Sequence, residues 1–176
     1  MNSDEIAELI AGTVRHVPDF PAPGVLFRDI APLLADGHAF NAVVARLADL
    51  YRGRVDMVAG IEARGFLLAA PLAAELGTGV LAVRKAGKLP PPTLRTSYDL
   101  EYGSAELEIP DVSIAAGTRV VVVDDVLATG GTARAACELL ERVGAQVRAI
   151  AILLEVAGLG GRAQLADRRL DVLFSD

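Results

Sequence analysis

The residue types best suited to chemistry sit together in one stretch, Val120 to Leu140, which reads VVVVDDVLATGGTARAACELL. Four consecutive valines predict a strand buried on both faces. Asp124 and Asp125 follow at its carboxyl end, where open α/β sheets bind their ligands. Ala128-Thr129-Gly130-Gly131-Thr132 then lead into a helix. Small residues there offer backbone N–H groups and two hydroxyls at a helix N-terminus, which suits a phosphate. Glycine lets the phosphate approach without meeting a Cβ. Carboxylates ahead of such a cradle repel phosphate but accept hydrogen bonds from a vicinal diol. The whole string therefore asks for a ribose 5-phosphate. A plainer reading makes Asp-Asp a helix cap and Gly-Gly a tight connection. Neither G-x-x-x-x-G-K-[ST] nor a helix-opening G-x-G-x-x-G occurs in the chain. Two adjacent anions repel when nothing lies between them, so Asp→Asn at either position is expected to leave stability level or raise it.

The cations that could face a second anionic group lie earlier. Arg64 stands in GIEARGF, residues 60–66, in a turn bounded by Gly60 and Gly65. A guanidinium fork suits a pair of diphosphate oxygens, and a cation at a helix start is unfavourable unless an anion joins it. Lys85 and Lys88 belong to the basic, proline-rich segment RKAGKLPPPTLRTS, residues 84–97.

These residues need a frame, and hydropathy patterning supplies it. Ile6, Leu9, Ile10 and Val14 mark a helix with Ser3 as its expected N-cap. Pro18 to Pro32 carries four prolines and reads as extended connecting chain. Phe40, Val43, Val44, Leu47, Leu50 and Tyr51 share a second helical face. Next come a strand at 57–60, a helix at 66–76, a strand at 79–83, a loop at 84–97 and a hairpin at 98–109 turning at Gly103-Ser104. The valine strand, a helix at 131–143 stopped by Gly144, and strands at 147–154 and 172–174 complete the chain. Alternating strands and helices predict an α/β fold, a mostly parallel twisted sheet flanked by helices.

A length of 176 residues fits one domain, and a hydrophobic fraction of 52% excludes disorder for the bulk of it. With 17 basic against 23 acidic residues the net charge is −6, which disfavours nucleic-acid partners. The one cysteine, Cys137, excludes an internal disulfide and fits a reducing compartment. It reads as buried packing in an alanine-rich helix, while His16 and His38 read as surface residues outside any metal constellation. The acidic N-terminus is unlike a signal peptide, and the longest apolar run, Phe66 to Ala74, contains a proline and is far short of the ~20 residues that span a membrane. A soluble, cytoplasmic protein is expected.

Residues 120–132 resemble the phosphoribosyl-diphosphate motif of the type I phosphoribosyltransferases, and the chain is similar to the adenine-specific branch of that family. PDFPAPGVLFRDI at 18–30, GIEARGF at 60–66, RKAGKLP at 84–90 and SYDLEYGSAELEI at 97–109 carry the similarity further. Asp124-Asp125 stands where hypoxanthine-guanine and orotate enzymes usually carry Glu-Asp. The resemblance implies purine salvage: transfer of ribose 5-phosphate from 5-phosphoribosyl 1-diphosphate to adenine, giving AMP and diphosphate. It places Asp124 and Asp125 on the ribose, and Ala128, Thr129, Gly130, Gly131 and Thr132 on the 5-phosphate. Glu62, Ala63, Arg64, Lys85 and Lys88 fall to the diphosphate, with a cis peptide near Glu62-Ala63. Leu26, Phe27, Arg28 and Val156 fall to adenine, through main-chain contacts near Leu26 and Arg28 and through apolar walls. Glu101 would move a proton or orient the base, Tyr102 would exclude water, and Arg64 would join them in catalysis.

The resemblance also implies a hood over about residues 1–34, a mobile active-site loop over about 84–104 that Pro90-Pro91-Pro92 would stiffen, and a homodimer. Mg²⁺ would arrive with the diphosphate, held by substrate oxygens and reached by Asp124 or Asp125 through water. Two other readings share the motif: a non-catalytic sensor of phosphoribosyl diphosphate, and the same chemistry on another base. Sensors of that kind usually append a DNA-binding domain, and this short acidic chain shows no basic helix-turn-helix segment.

Overall fold

The computed structural model describes residues 1–99, 104–111 and 114–176. Helix α1 (Ser3–Thr13) is followed by a small hairpin of β1 (Arg15–Pro18) and β2 (Leu26–Asp29), then α2 (Ala31–Ala35) and α3 (Gly37–Tyr51). After β3 (Met57–Ile61), α4 (Gly65–Leu76) and β4 (Gly79–Lys85) come β5 (Thr93–Asp99) and β6 (Ser104–Pro110). The chain closes with β7 (Arg119–Leu127), α5 (Gly131–Arg142), β8 (Gln146–Glu155), α6 (Gly161–Gln164) and β9 (Leu170–Ser175).

Seven strands form one sheet in the order β5-β6-β4-β3-β7-β8-β9. The run from β4 to β9 is parallel, while β6 joins β4, and β5 joins β6, in antiparallel fashion. Central strand β7 explains why the sheet is covered on both sides. Its valines alternate, with Val121 and Val123 facing Leu68 and Leu72 of α4 and a layer built from α1 and α3. Val120 and Val122 face Cys137 and Leu140 of α5. All four valines are fully buried, so neither face tolerates a polar residue until the strand end.

Several boundaries differ from the sequence reading, each for a physical reason. Asn2, not Ser3, caps α1: its Oδ1 accepts the Glu5 N–H at 2.9 Å while Glu5 Oε2 accepts the Asn2 N–H at 2.8 Å, a reciprocal capping box. The proline-rich stretch holds the β1–β2 hairpin, and α2 starts at Ala31 with Pro32 in its first turn, where a missing N–H costs nothing. The loop expected over 84–97 shrinks to 86–92, because Arg84 and Lys85 pair with Glu108 and Leu107, and Thr93 already pairs with Pro110. The turn expected at Gly103-Ser104 lies partly outside the described residues. Asp124 and Asp125 do not follow β7 but belong to it, since pairing with β8 continues to Leu127. On its other side β7 outruns β3, whose last partner is Val123. A notch therefore opens beside Asp124 at the carboxyl edge of the sheet. Among the described residues no helix is long and apolar enough to cross a membrane.

Candidate active site

The turn 62–64 folds into this notch. Glycine at 65 permits it: a Cβ there would lie 2.7 Å from the Val123 carbonyl oxygen and 3.0 Å from Asp124 Oδ1, so only glycine lets α4 begin against β7. Arg64 occupies the N-cap position of α4 and contributes no side-chain cap. Its Nε lies 2.8 Å from Asp125 Oδ2. The anion that a cation at this helix start calls for is supplied here by Asp125. The oxygen is buried and accepts no hydrogen bond, because the guanidinium approaches off the N–H axis. Asp124 Oδ1 accepts the Asp125 N–H at 2.9 Å. Burial, and then the charge of Asp125, push the Asp124 carboxyl well above the usual carboxylate range. Neither aspartate caps α5, whose N-cap is Gly130 at φ 86° with no side-chain bond. The helix-cap reading of the acid pair is excluded by this geometry.

Between the acids and α5 lies a cavity of about 90 Å³ lined by Asp124, Ala128, Thr129, Gly130, Thr132 and Ala133. The first N–H groups of a helix have no intrahelical partners, and α5 supplies no side chain to cover them. A small anion suits a cavity of this size at a helix N-terminus. Thr132 Oγ1 lies 3.3 Å from the Tyr98 hydroxyl and donates to it, which ties β5 to the cradle. Tyr98 escaped the sequence reading. The signal was there in β5, where Leu94 and Tyr98 fall on one face of the strand and both pack toward the α5 core.

The Glu62–Ala63 peptide is cis. Glu62 does not aim its carboxylate at the cradle as a diphosphate residue would. It accepts from Arg84 Nη2 at 3.0 Å and Nε at 3.3 Å and from the Lys85 N–H at 2.9 Å. Arg84, aided by the Lys85 N–H, holds the carboxyl below its usual range. Its part toward an anion is confined to the backbone of the turn, since a free carboxylate there would repel the ligand. Lys85 and Lys88 are exposed and form no ion pair with another described residue. Glu101 and Tyr102 lie outside the described residues.

A second cavity, of about 570 Å³, opens beside the notch and is lined by Leu26, Phe27, Arg28, Arg64, Val126 and Val156, among others. Phe27 packs edge-on to Phe20 with ring centroids 5.1 Å apart, and the Arg64 guanidinium lies 5.3 Å from the Phe27 ring centre. Arg28 commits its guanidinium to partners within the protein. Its Nε donates to Asp176 Oδ2 at 2.7 Å and its Nη1 to the Leu26 carbonyl at 2.6 Å. Pro18, the partner of Leu26 across the hairpin, has no N–H to offer. That carbonyl keeps a second lone pair. His16 is exposed as expected, yet its Nε2 also reaches Asp176 Oδ2 at 2.9 Å. Among the described residues no group of three or more His, Cys, Asp or Glu side chains is arranged to hold a metal ion.

An acid pair, a bare helix N-terminus and an arginine turn thus meet at the carboxyl edge of a parallel sheet. Residues 33–171 match the phosphoribosyl transferase domain, and the chain belongs to that family. Within it the chain groups with the adenine phosphoribosyltransferases. The one from Kineococcus radiotolerans is 60% identical over 175 residues, covering 99% of this chain and 95% of that protein. The crystal structure of adenine phosphoribosyltransferase from Thermoanaerobacter pseudethanolicus superposes with a TM-score of 0.92 at 46% identity, covering 97% of this chain and 99% of that one. The Saccharomyces cerevisiae enzyme, complexed with an imino-altritol bisphosphate and adenine, gives 0.90 at 35% identity over 97% and 99% of the two chains.

Proposed function

We propose that the protein transfers ribose 5-phosphate from 5-phosphoribosyl 1-diphosphate to adenine, releasing AMP and diphosphate. The observation that carries this reading is that Arg64 borders both the acid-lined notch and the apolar cavity walled by Phe27 and Val156. The 5-phosphate sits on the N–H groups of Thr129 to Thr132, and Asp124 and Asp125 accept the ribose diol. C1 then faces the larger cavity, with adenine between Phe27, Val156 and the backbone near Leu26 and Arg28. Arg64, Lys85, Lys88 and the backbone of Glu62-Ala63 take the diphosphate and balance the charge that grows on it as the C1–O bond loosens. Placing both reactants in one cleft supplies much of the acceleration. The aspartates also face the positive charge that develops at the sugar, so their effect extends to kcat.

Oxygen donors suit Mg²⁺; substrate oxygens would hold the ion, with Asp124 or Asp125 reached through water. When bound, it neutralises charge on the departing diphosphate. Glu101 moves a proton or orients the base, and Tyr102 excludes water, as the segment 84–104 closes over the reacting centre beneath the hood formed by residues 1–34. The whole chain acts as one domain, in the cytoplasm, as a homodimer. Exposed Leu67 on α4 and Val80 on β4 supply apolar surface for a partner copy.

Turnover of a panel of bases with phosphoribosyl diphosphate tests the reading. Adenine is expected to exceed hypoxanthine and guanine at least ~100-fold in kcat/KM, because a 6-oxo group leaves groups built for the N6 donor unpaired. Comparable use of hypoxanthine overturns the choice of base, and no turnover with any base favours a sensor.

A further inference from the structure

Glu108 lies in β6 without solvent exposure, one of two buried acidic residues among the described residues, and the reaction just described gives it no role. Its Oε1 accepts the backbone N–H groups of Lys88 at 2.7 Å and Leu89 at 2.8 Å. Arg95 Nε lies 3.1 Å from Oε2. A carboxylate is expensive to bury, and a side chain kept there must be matched by donors that need it. Burial alone would raise its pKa, but the N–H groups of Leu89, Lys88 and Gly87, with Arg95, outweigh that and hold it below the usual range. The donors it serves belong to the turn 86–92, which contains a glycine and three prolines and has few bonds of its own. The other end of the Lys88 residue is held as well, since Arg84 Nη1 donates to its carbonyl at 3.0 Å. Arg84 is in turn anchored by Glu62, two residues before Arg64. One residue of the turn is thus gripped from the β5–β6 hairpin and from the diphosphate turn together.

We propose that Glu108 is a positioning residue for diphosphate: it fixes the backbone of Lys88 so that the ammonium group is presented in register with Arg64. The proposal rests on the reading that Lys88 faces diphosphate. A merely structural role would lower the melting temperature and leave the discrimination between ligands unchanged.

Glu108→Gln keeps the shape and one acceptor oxygen but removes the charge. Its Kd for diphosphate and KM for phosphoribosyl diphosphate are expected to rise about 5–20-fold, as loss of a charge-assisted hydrogen bond implies. KM for adenine and Kd for AMP should stay within about twofold. Because Glu108 acts through Lys88, adding Glu108→Gln to Lys88→Ala should weaken diphosphate by less than about twofold more. If Lys88→Ala leaves diphosphate affinity unchanged, the placement of Lys88 fails and this proposal with it. If Lys88→Ala weakens diphosphate but Glu108→Gln does not, or weakens AMP equally, the positioning role alone is overturned. Glu108→Asp, which keeps the charge but withdraws it by one methylene, is read in the same way should Glu108→Gln fold poorly.

Discussion

Asp124 and Asp125 are neighbours in sequence with different fates. Asp125 is buried against Arg64, whereas Asp124 borders the cavity at the start of α5 and forms no ion pair with another described residue. A carboxyl raised above its unfolded value of 3.8 binds more protons in the folded state. Stability therefore falls as pH rises from that value through the folded one. Asp124→Asn removes the loss, so its melting temperature at neutral pH should equal or exceed that of the parent, with the difference vanishing toward pH 4. Its kcat/KM for phosphoribosyl diphosphate should drop roughly 10–150-fold, the worth of a hydrogen bond to a charged group. Intact kinetics would take the diol off this residue. The expectation that Asp125→Asn also leaves stability level does not survive the structure, because that change breaks a partly buried ion pair, and its melting temperature should fall. Tyr98→Phe offers a milder contrast. Losing the hydroxyl beside Thr132 should weaken AMP about threefold while KM for adenine stays put. Equal effects on both ligands would mean that β5 supports the fold and not the cradle.

At the scale of elements, legibility followed sequence separation. The valine strand, the glycine-threonine loop and α5 are contiguous, so periodicity and turn chemistry sufficed to place them. The hood hairpin was missed because each of its strands has four residues, none of them fully buried, with too little alternation to read. What fixes it is distant: Asp176 receives Arg28 and His16 across 148 and 160 positions of chain. The Glu62–Arg84 pair was hidden for the same reason, since nothing local distinguishes an acid that faces ligand from one that faces an arginine on the next strand. Asp176→Ala should loosen the hood and raise KM for adenine several-fold, with diphosphate affinity unaltered; a uniform change in both would place Asp176 in global stability alone. His16, then Arg28, hold the Asp176 carboxyl below its ordinary 3.8. The Arg28 half of the contact is therefore complete above that value and lost as pH falls through the lowered one, so its loss belongs to strongly acidic solutions.

The whole molecule is two cores divided by one sheet, and Cys137 sits at the centre of the second. Burial pushes its thiol up to about 12, so almost no thiolate exists at neutral pH and no reagent can reach it. Alkylation of the native protein should be negligible and should rise only with denaturant, tracking global unfolding as followed by circular dichroism. Labelling well before that transition would show that α5 opens separately from the rest of the sheet.

Of the 17 basic residues in the chain only two are lysine, Lys85 and Lys88, and both flank the turn that follows β4. Primary amines are thus confined to that turn and the amino terminus, whereas arginine carries every other positive side chain. An amine-selective acylating reagent becomes a footprint of one locality. Intact-mass measurement would count acyl groups directly, and diphosphate, but not adenine, should shield two of them. Shielding by adenine alone would move the lysines to the base side of the cleft.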